Sequence, residues 1–131
     1  MKTKTRKCLM LIVVLGLVFM VSGGCTLTEI KEASFTITSW DQEYYEYIGE
    51  WGLVEVYYQV TNTGNVDIDY YEVYFTVTCE DGSKYYDWTN GLNVRAGKTY
   101  SDYTYINTAG KKATSVKITD KKVDYHPSGC F

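Results

Sequence analysis

Four cysteines, one histidine and one stretch crowded with rings and carboxylates are the residues of this 131-residue chain from which chemistry could be built. His126 stands in the tail beside Pro127, the only proline. A serine or cysteine nucleophile needs a base within hydrogen-bond reach, so any such pair would have to recruit that tail. Neither a Gly-x-Ser-x-Gly elbow nor a His-Glu-x-x-His helix is present. Cys79, His126 and Cys130 do not have zinc spacing. Asp67, Asp69 and Glu72 offer oxygens to calcium, but alternate residues of a strand look the same, and no Gly-bent loop gathers them. These readings point to a protein that is not an enzyme and has no cofactor and no metal site.

The remaining candidate is "WDQEYYEYIGEW", Trp40 to Trp51, with five aromatics set among Asp41, Glu43, Glu46 and Glu50. Aromatic faces beside carboxylates can stack on sugar rings and bond their hydroxyls, and they also anchor protein partners. Trp40, Asp41, Glu43, Tyr44, Tyr47 and Trp51 are therefore the candidate ligand-binding residues. The segment reads as a long connection between two strands. The competing reading is a lid, in which Tyr45, Ile48 or Trp51 covers the open end of the fold and the acids are simply solvated.

The first residues decide the compartment. Lys2, Lys4, Arg6 and Lys7 precede a 17-residue run without charge, Cys8 to Gly24. A basic start, an apolar centre and small residues before a cut site make an export signal. As a helix the run would span about 26 Å, at the short limit for a bilayer core of roughly 30 Å. Ser22, Gly23 and Gly24 stand directly before Cys25 in "VSGGC". This resembles the lipobox of prokaryotic lipoproteins. The resemblance implies that residues 1–24 are a lipoprotein signal peptide and that the Cys25 thiol carries a diacylglyceryl group. Two acyl chains hold stably where one holds marginally, at about 0.8 kcal/mol per buried methylene. The competing reading is a secretory signal cut nearby, leaving Cys25 a free or bridged thiol. Residues 25–32 form a short tether of at most about 28 Å, so the domain sits close to the membrane.

From Cys25 onward the chain has 107 residues, enough for one domain. It holds all 16 acidic residues against 9 basic ones, a net charge of −7. That excludes nucleic acid as a partner, and a polybasic membrane-binding face with it. All 14 tyrosines and all 3 tryptophans lie here, a composition suited to pleated, half-buried surfaces. With Cys8 removed and Cys25 acylated, Cys79 and Cys130 remain. An exported pair can persist as a disulfide. Closing a loop of about 50 residues would contribute on the order of 4 kcal/mol. The alternative is a buried thiol at Cys79 and a loose one at Cys130.

The elements follow from a period of two. Phe35 and Ile37 alternate with Thr36 and Thr38. Val54, Val56, Tyr58 and Val60 share one face, with Glu55, Tyr57, Gln59 and Thr61 on the other. Val73, Phe75, Val77 and Cys79 share a core-side face, and Asp81-Gly82 turns a hairpin. Asn90-Gly91 is expected to end the next strand, so that Leu92 to Val94 stands as a separate short one. Tyr103 and Tyr105 share a face, and Val116 and Ile118 point inward on the last strand. This spacing predicts an all-β antiparallel sandwich of about seven strands over residues 33–131.

"VEVYYQVTNTGNVDIDYYEVYFTVTCEDGSKY", followed by "LNVRAGKTYSDYTY", resembles the FxLYD-type immunoglobulin-like domains of exported prokaryotic proteins. The resemblance covers roughly Gly52 to Ile118. It implies an immunoglobulin-like fold and an envelope location, and no catalytic residues. The expectation is a non-catalytic, lipid-anchored module facing outside the cytoplasm, held to membrane lipid through Cys25 and contacting an envelope protein. The alternative is binding of carbohydrate or a cell-wall polymer through Trp40–Trp51.

Overall fold

The computed structural model describes residues 27–127. The expected signal peptide over residues 1–24, Cys25 and Cys130 lie outside the described residues. All the strands fall in the unit that begins at Glu29. They are β1 (Ala33–Tyr45), β2 (Glu50–Asn62), β3 (Ile68–Cys79), β4 (Lys84–Val94), β5 (Thr99–Ile106) and β6 (Ala113–Tyr125). One sheet has the order β1-β2-β5 and the other β4-β3-β6, with every pairing antiparallel. The architecture is the expected all-β sandwich, with six strands among the described residues.

The two central strands supply most of the core. Val54, Val56, Tyr58 and Val60 of β2 are fully buried, as are Tyr71, Val73, Phe75 and Val77 of β3. These are the faces that alternation assigned. Phe35, Ile37, Trp40, Val116 and Ile118 pack on this centre from the edge strands β1 and β6. Two phenols are buried within it. The Tyr58 and Tyr71 hydroxyls meet at 3.4 Å, and burial pushes both of their pKa values up. A phenol bonded to a phenol avoids the cost of an orphaned buried hydroxyl.

The strand count differs from seven because Asn90-Gly91 does not interrupt β4. Tyr71 Oη lies directly over Gly91, where any Cβ would overlap the phenol ring. The glycine makes room for a core side chain within a continuous strand. Gly64 likewise serves close approach rather than positive φ, since a Cβ there would strike the Ile30 carbonyl.

Both termini of the described chain attach at one end of the sandwich. Ile30 N donates to Asn65 Oδ1 at 2.7 Å, and Thr63 N donates to Glu32 O at 3.0 Å. At the same end Tyr125 pairs with Ile68, and His126 N donates to Asp67 O at 2.8 Å. Cys79 is 2 % exposed at the opposite end, beside Ala113, with no disulfide partner among the described residues. Its expected partner, Cys130, lies outside the described residues.

Candidate functional site

The Trp40–Trp51 segment is not a loop. It is the far half of the β1–β2 hairpin, closed by a turn over residues 46–49 with Gly49 at φ +71°. The hairpin outruns the main core, so its outer residues can be polar without breaking the strand. Its tip pair, Tyr45 and Glu50, lies 12 residues along β1 from Ala33. That is about 40 Å from the end where the chain enters.

Register shifts in β1, between Ile37 and Ser39 and between Gln42 and Tyr44, re-aim the side chains of the far half. Bulges of this kind commonly sit beside functional surfaces. Trp40 is turned inward and packs on the core. Tyr44 packs against Trp51 with centroids 5.1 Å apart, and Tyr45 lies 5.8 Å from Tyr47. Tyr47 is 83 % exposed at the tip.

A cleft of about 620 Å³ opens beside this hairpin. Asp41, Gln42, Glu43 and Tyr45 of β1 form one wall, with Ile48 from the turn. Glu50, Trp51, Gly52, Leu53 and Glu55 of β2 continue it. Tyr105 of β5 and Asn107, Ala109 and Gly110 of the following turn complete it. Of the six residues expected to bind, Asp41, Glu43 and Trp51 line the cleft. Trp40, Tyr44 and Tyr47 do not. Glu50, Leu53, Glu55 and Tyr105 were not anticipated as lining residues.

Gln42 holds the walls together. Its Nε2 donates to Gly52 O at 2.9 Å, Thr108 Oγ1 at 3.0 Å and Lys111 O at 2.9 Å. Its Oε1 accepts from Ala113 N at 2.7 Å. Trp51 N adds a bond to Gly110 O at 3.1 Å. The cleft is therefore built where one hairpin is laced to the β5–β6 turn.

Four carboxylates, Asp41, Glu43, Glu50 and Glu55, line the cleft, and none forms an ion pair among the described residues. Glu55 accepts from Tyr105 Oη at 3.1 Å, and this contact raises the phenol's pKa. Lys112 Nζ lies 5.6 Å from the Trp51 ring centroid, so the indole is already used as a cation platform. The site is acidic and partly aromatic, and can hold a cation on a carbon stem. Among the described residues no group of three or more His, Cys, Asp or Glu is arranged to hold a metal ion.

The other candidates are separated. Asp67 Oδ1 accepts from Ala96 N at 2.8 Å, and Asp69 Oδ2 pairs with His126 Nδ1 at 3.0 Å. Glu72 accepts from the Tyr70 and Tyr74 hydroxyls. No serine or cysteine side chain bonds the His126 ring among the described residues. In comparisons with protein-family models, curated proteins and solved structures, nothing matches this chain.

Proposed function

We propose that this protein is a non-catalytic, lipid-anchored module outside the cytoplasm, and that its cleft grips a cationic segment of an envelope protein. The observation that carries this reading is the set of four carboxylates without an ion pair among the described residues, beside Trp51 and Tyr45, at the end of the sandwich remote from the tether. Cys25 lies five residues before Ile30, within about 18 Å of chain. The cleft opens at the end of the sandwich opposite Ile30. The "VSGGC" lipobox resemblance and the FxLYD-type resemblance over Gly52 to Ile118 support the envelope location.

Walls of low dielectric concentrate the field of like charges and raise the local concentration of the opposite charge. An arginine or lysine would find both a carboxylate and a ring face. Trp40, turned into the core, is lost to the alternative in which this segment stacks on sugars. Crosslinking in intact cells tests the proposal. The wild type recovers a specific neighbouring protein, and a Glu43→Lys/Glu50→Lys variant of equal abundance recovers at least several-fold less. Equal recovery by both would mean that the cleft does not make the contact.

A further inference from the structure

The outer face of the β4-β3-β6 sheet carries a second surface, with different chemistry. Residues paired across strands share a face. Leu92, Tyr70 and Asp124 form one row of this face, and Asn90, Glu72 and Lys122 the next. Trp88, Tyr74 and Asp120 follow, then Tyr86, Thr76 and Lys117. On β4, an edge strand, Leu92, Trp88 and Tyr86 are 61 %, 51 % and 73 % exposed. They extend along about 20 Å of strand.

The Trp88 ring is held in place. Tyr74 stacks on Trp88, with centroids 6.2 Å apart and planes 27° apart. Beside them is a fixed polar set. Tyr70 Oη donates to Glu72 Oε1 at 2.8 Å, and Tyr74 Oη donates to Glu72 Oε2. Asn90 Nδ2 donates to Tyr70 Oη at 3.3 Å, and Lys122 Nζ lies 4.0 Å from Glu72 Oε1. Lys84, Lys117 and Lys122 balance Glu72, Asp120 and Asp124, so this face carries no net charge although the mature chain is acidic.

We propose that this face binds an extended, uncharged glycan along β4, its sugar rings stacked on Trp88 and Tyr86 and its hydroxyls bonded by Glu72, Asn90 and Lys122. A sugar ring offers an apolar C–H face and a rim of hydroxyls, which is the alternation that this surface presents. A charged partner gains nothing from a balanced face. An apolar partner or a bilayer would strip water from Glu72, Asp120 and Asp124. The face is open along the edge strand, which suits the interior of a long polymer. This inference does not depend on the cleft.

The test uses the full chain in detergent micelles. Soluble oligomers of β-linked glucose and of N-acetylglucosamine are titrated against tryptophan fluorescence and by calorimetry. Saturable binding to at least one is expected, weakened about five- to tenfold by Trp88→Ala or Tyr86→Ala. Tyr103→Ala, on the other sheet, is expected to bind as the wild type does. Tyr86 is the more exposed of the two rings, so Tyr86→Ala keeps the test valid should Trp88→Ala misfold, and circular dichroism reports folding. No saturable signal up to millimolar sugar, or unchanged affinity in folded Tyr86→Ala, overturns the proposal. A wild-type dimer in sedimentation that Tyr86→Ala dissolves also overturns it, because a second copy would then occupy the face.

Discussion

Gln42→Glu replaces an amide nitrogen by an oxygen and should disturb both the fold and the cleft. The wild-type amide nitrogen faces three oxygens, Gly52 O, Thr108 Oγ1 and Lys111 O, at 2.9 to 3.0 Å. Thr108 is 1 % exposed and donates its own proton to Lys111 O at 2.7 Å. A carboxylate oxygen in that position donates nothing and is surrounded by acceptors. Each lost bond costs about 0.5–1.5 kcal/mol, and each acceptor left without a donor about 1–3. The expected loss at pH 7 is about 3 kcal/mol, a large share of the stability of a domain this size. The Ala113 N–H contact to Oε1 is retained, so the change tests the donor side alone.

The same variant has a pH signature. Once protonated, the introduced carboxyl group can donate one bond, so the folded state favours the neutral acid and raises its pKa above the unfolded value of about 4.3. Below the unfolded pKa the penalty is smallest. It grows as pH rises from there through the folded pKa, by up to about 1.36 kcal/mol per pH unit, and then levels off. Urea unfolding of wild type, Gln42→Glu and Gln42→Ala at pH 4 and pH 7 measures this. The difference from wild type cancels the other carboxylates. Gln42→Ala should show a penalty that does not vary with pH. A Gln42→Glu penalty below about 1 kcal/mol at pH 7, or one that does not shrink in acid, would mean that the amide nitrogen is not what holds these oxygens.

Two further results follow from packing and charge. Gly91→Ala should cost about 2–3 kcal/mol in urea unfolding, because the new Cβ overlaps the buried Tyr71 ring; near-neutral behaviour would mean that the ring moves freely. Bonds from the Ser83 hydroxyl, Lys111 and Ser83 N hold Asp81 well below the usual carboxylate range. Its contribution to stability is therefore present above the unfolded pKa and lost as pH falls through the folded one. Carbon NMR titration should show the Asp81 midpoint rising in Ser83→Ala, and an ordinary midpoint in the wild type would contradict the geometry.

Alternation made the core legible because its period is two and one face of each sheet is wet. Val54, Val56, Tyr58 and Val60 needed no structure to be placed, nor did Val73, Phe75, Val77 and Cys79. What misled was punctuation. Asn90-Gly91 looks like a turn, yet Gly91 is there to admit Tyr71. Asp41, Glu43, Glu46 and Glu50 look like loop composition, yet they belong to a hairpin that continues where there is little left to bury. The far wall of the cleft was invisible because Tyr105, Asn107 and Gly110 come to the hairpin through non-local pairing. Gln42 left no signal either: the period that turns Phe35 and Ile37 inward puts it outward, and the register shift between Ile37 and Ser39 brings it in.

The proposed contact with an envelope protein is made at the hairpin tip. A photocrosslinking amino acid at position 47, at the 83 % exposed tip, tests it in living cells against the same probe at position 65 beside the tether. A discrete protein adduct is expected from position 47, lost on Glu43→Lys/Glu50→Lys, and no such adduct from position 65. An adduct from position 65 alone, or one from position 47 that survives the charge reversal, would contradict it.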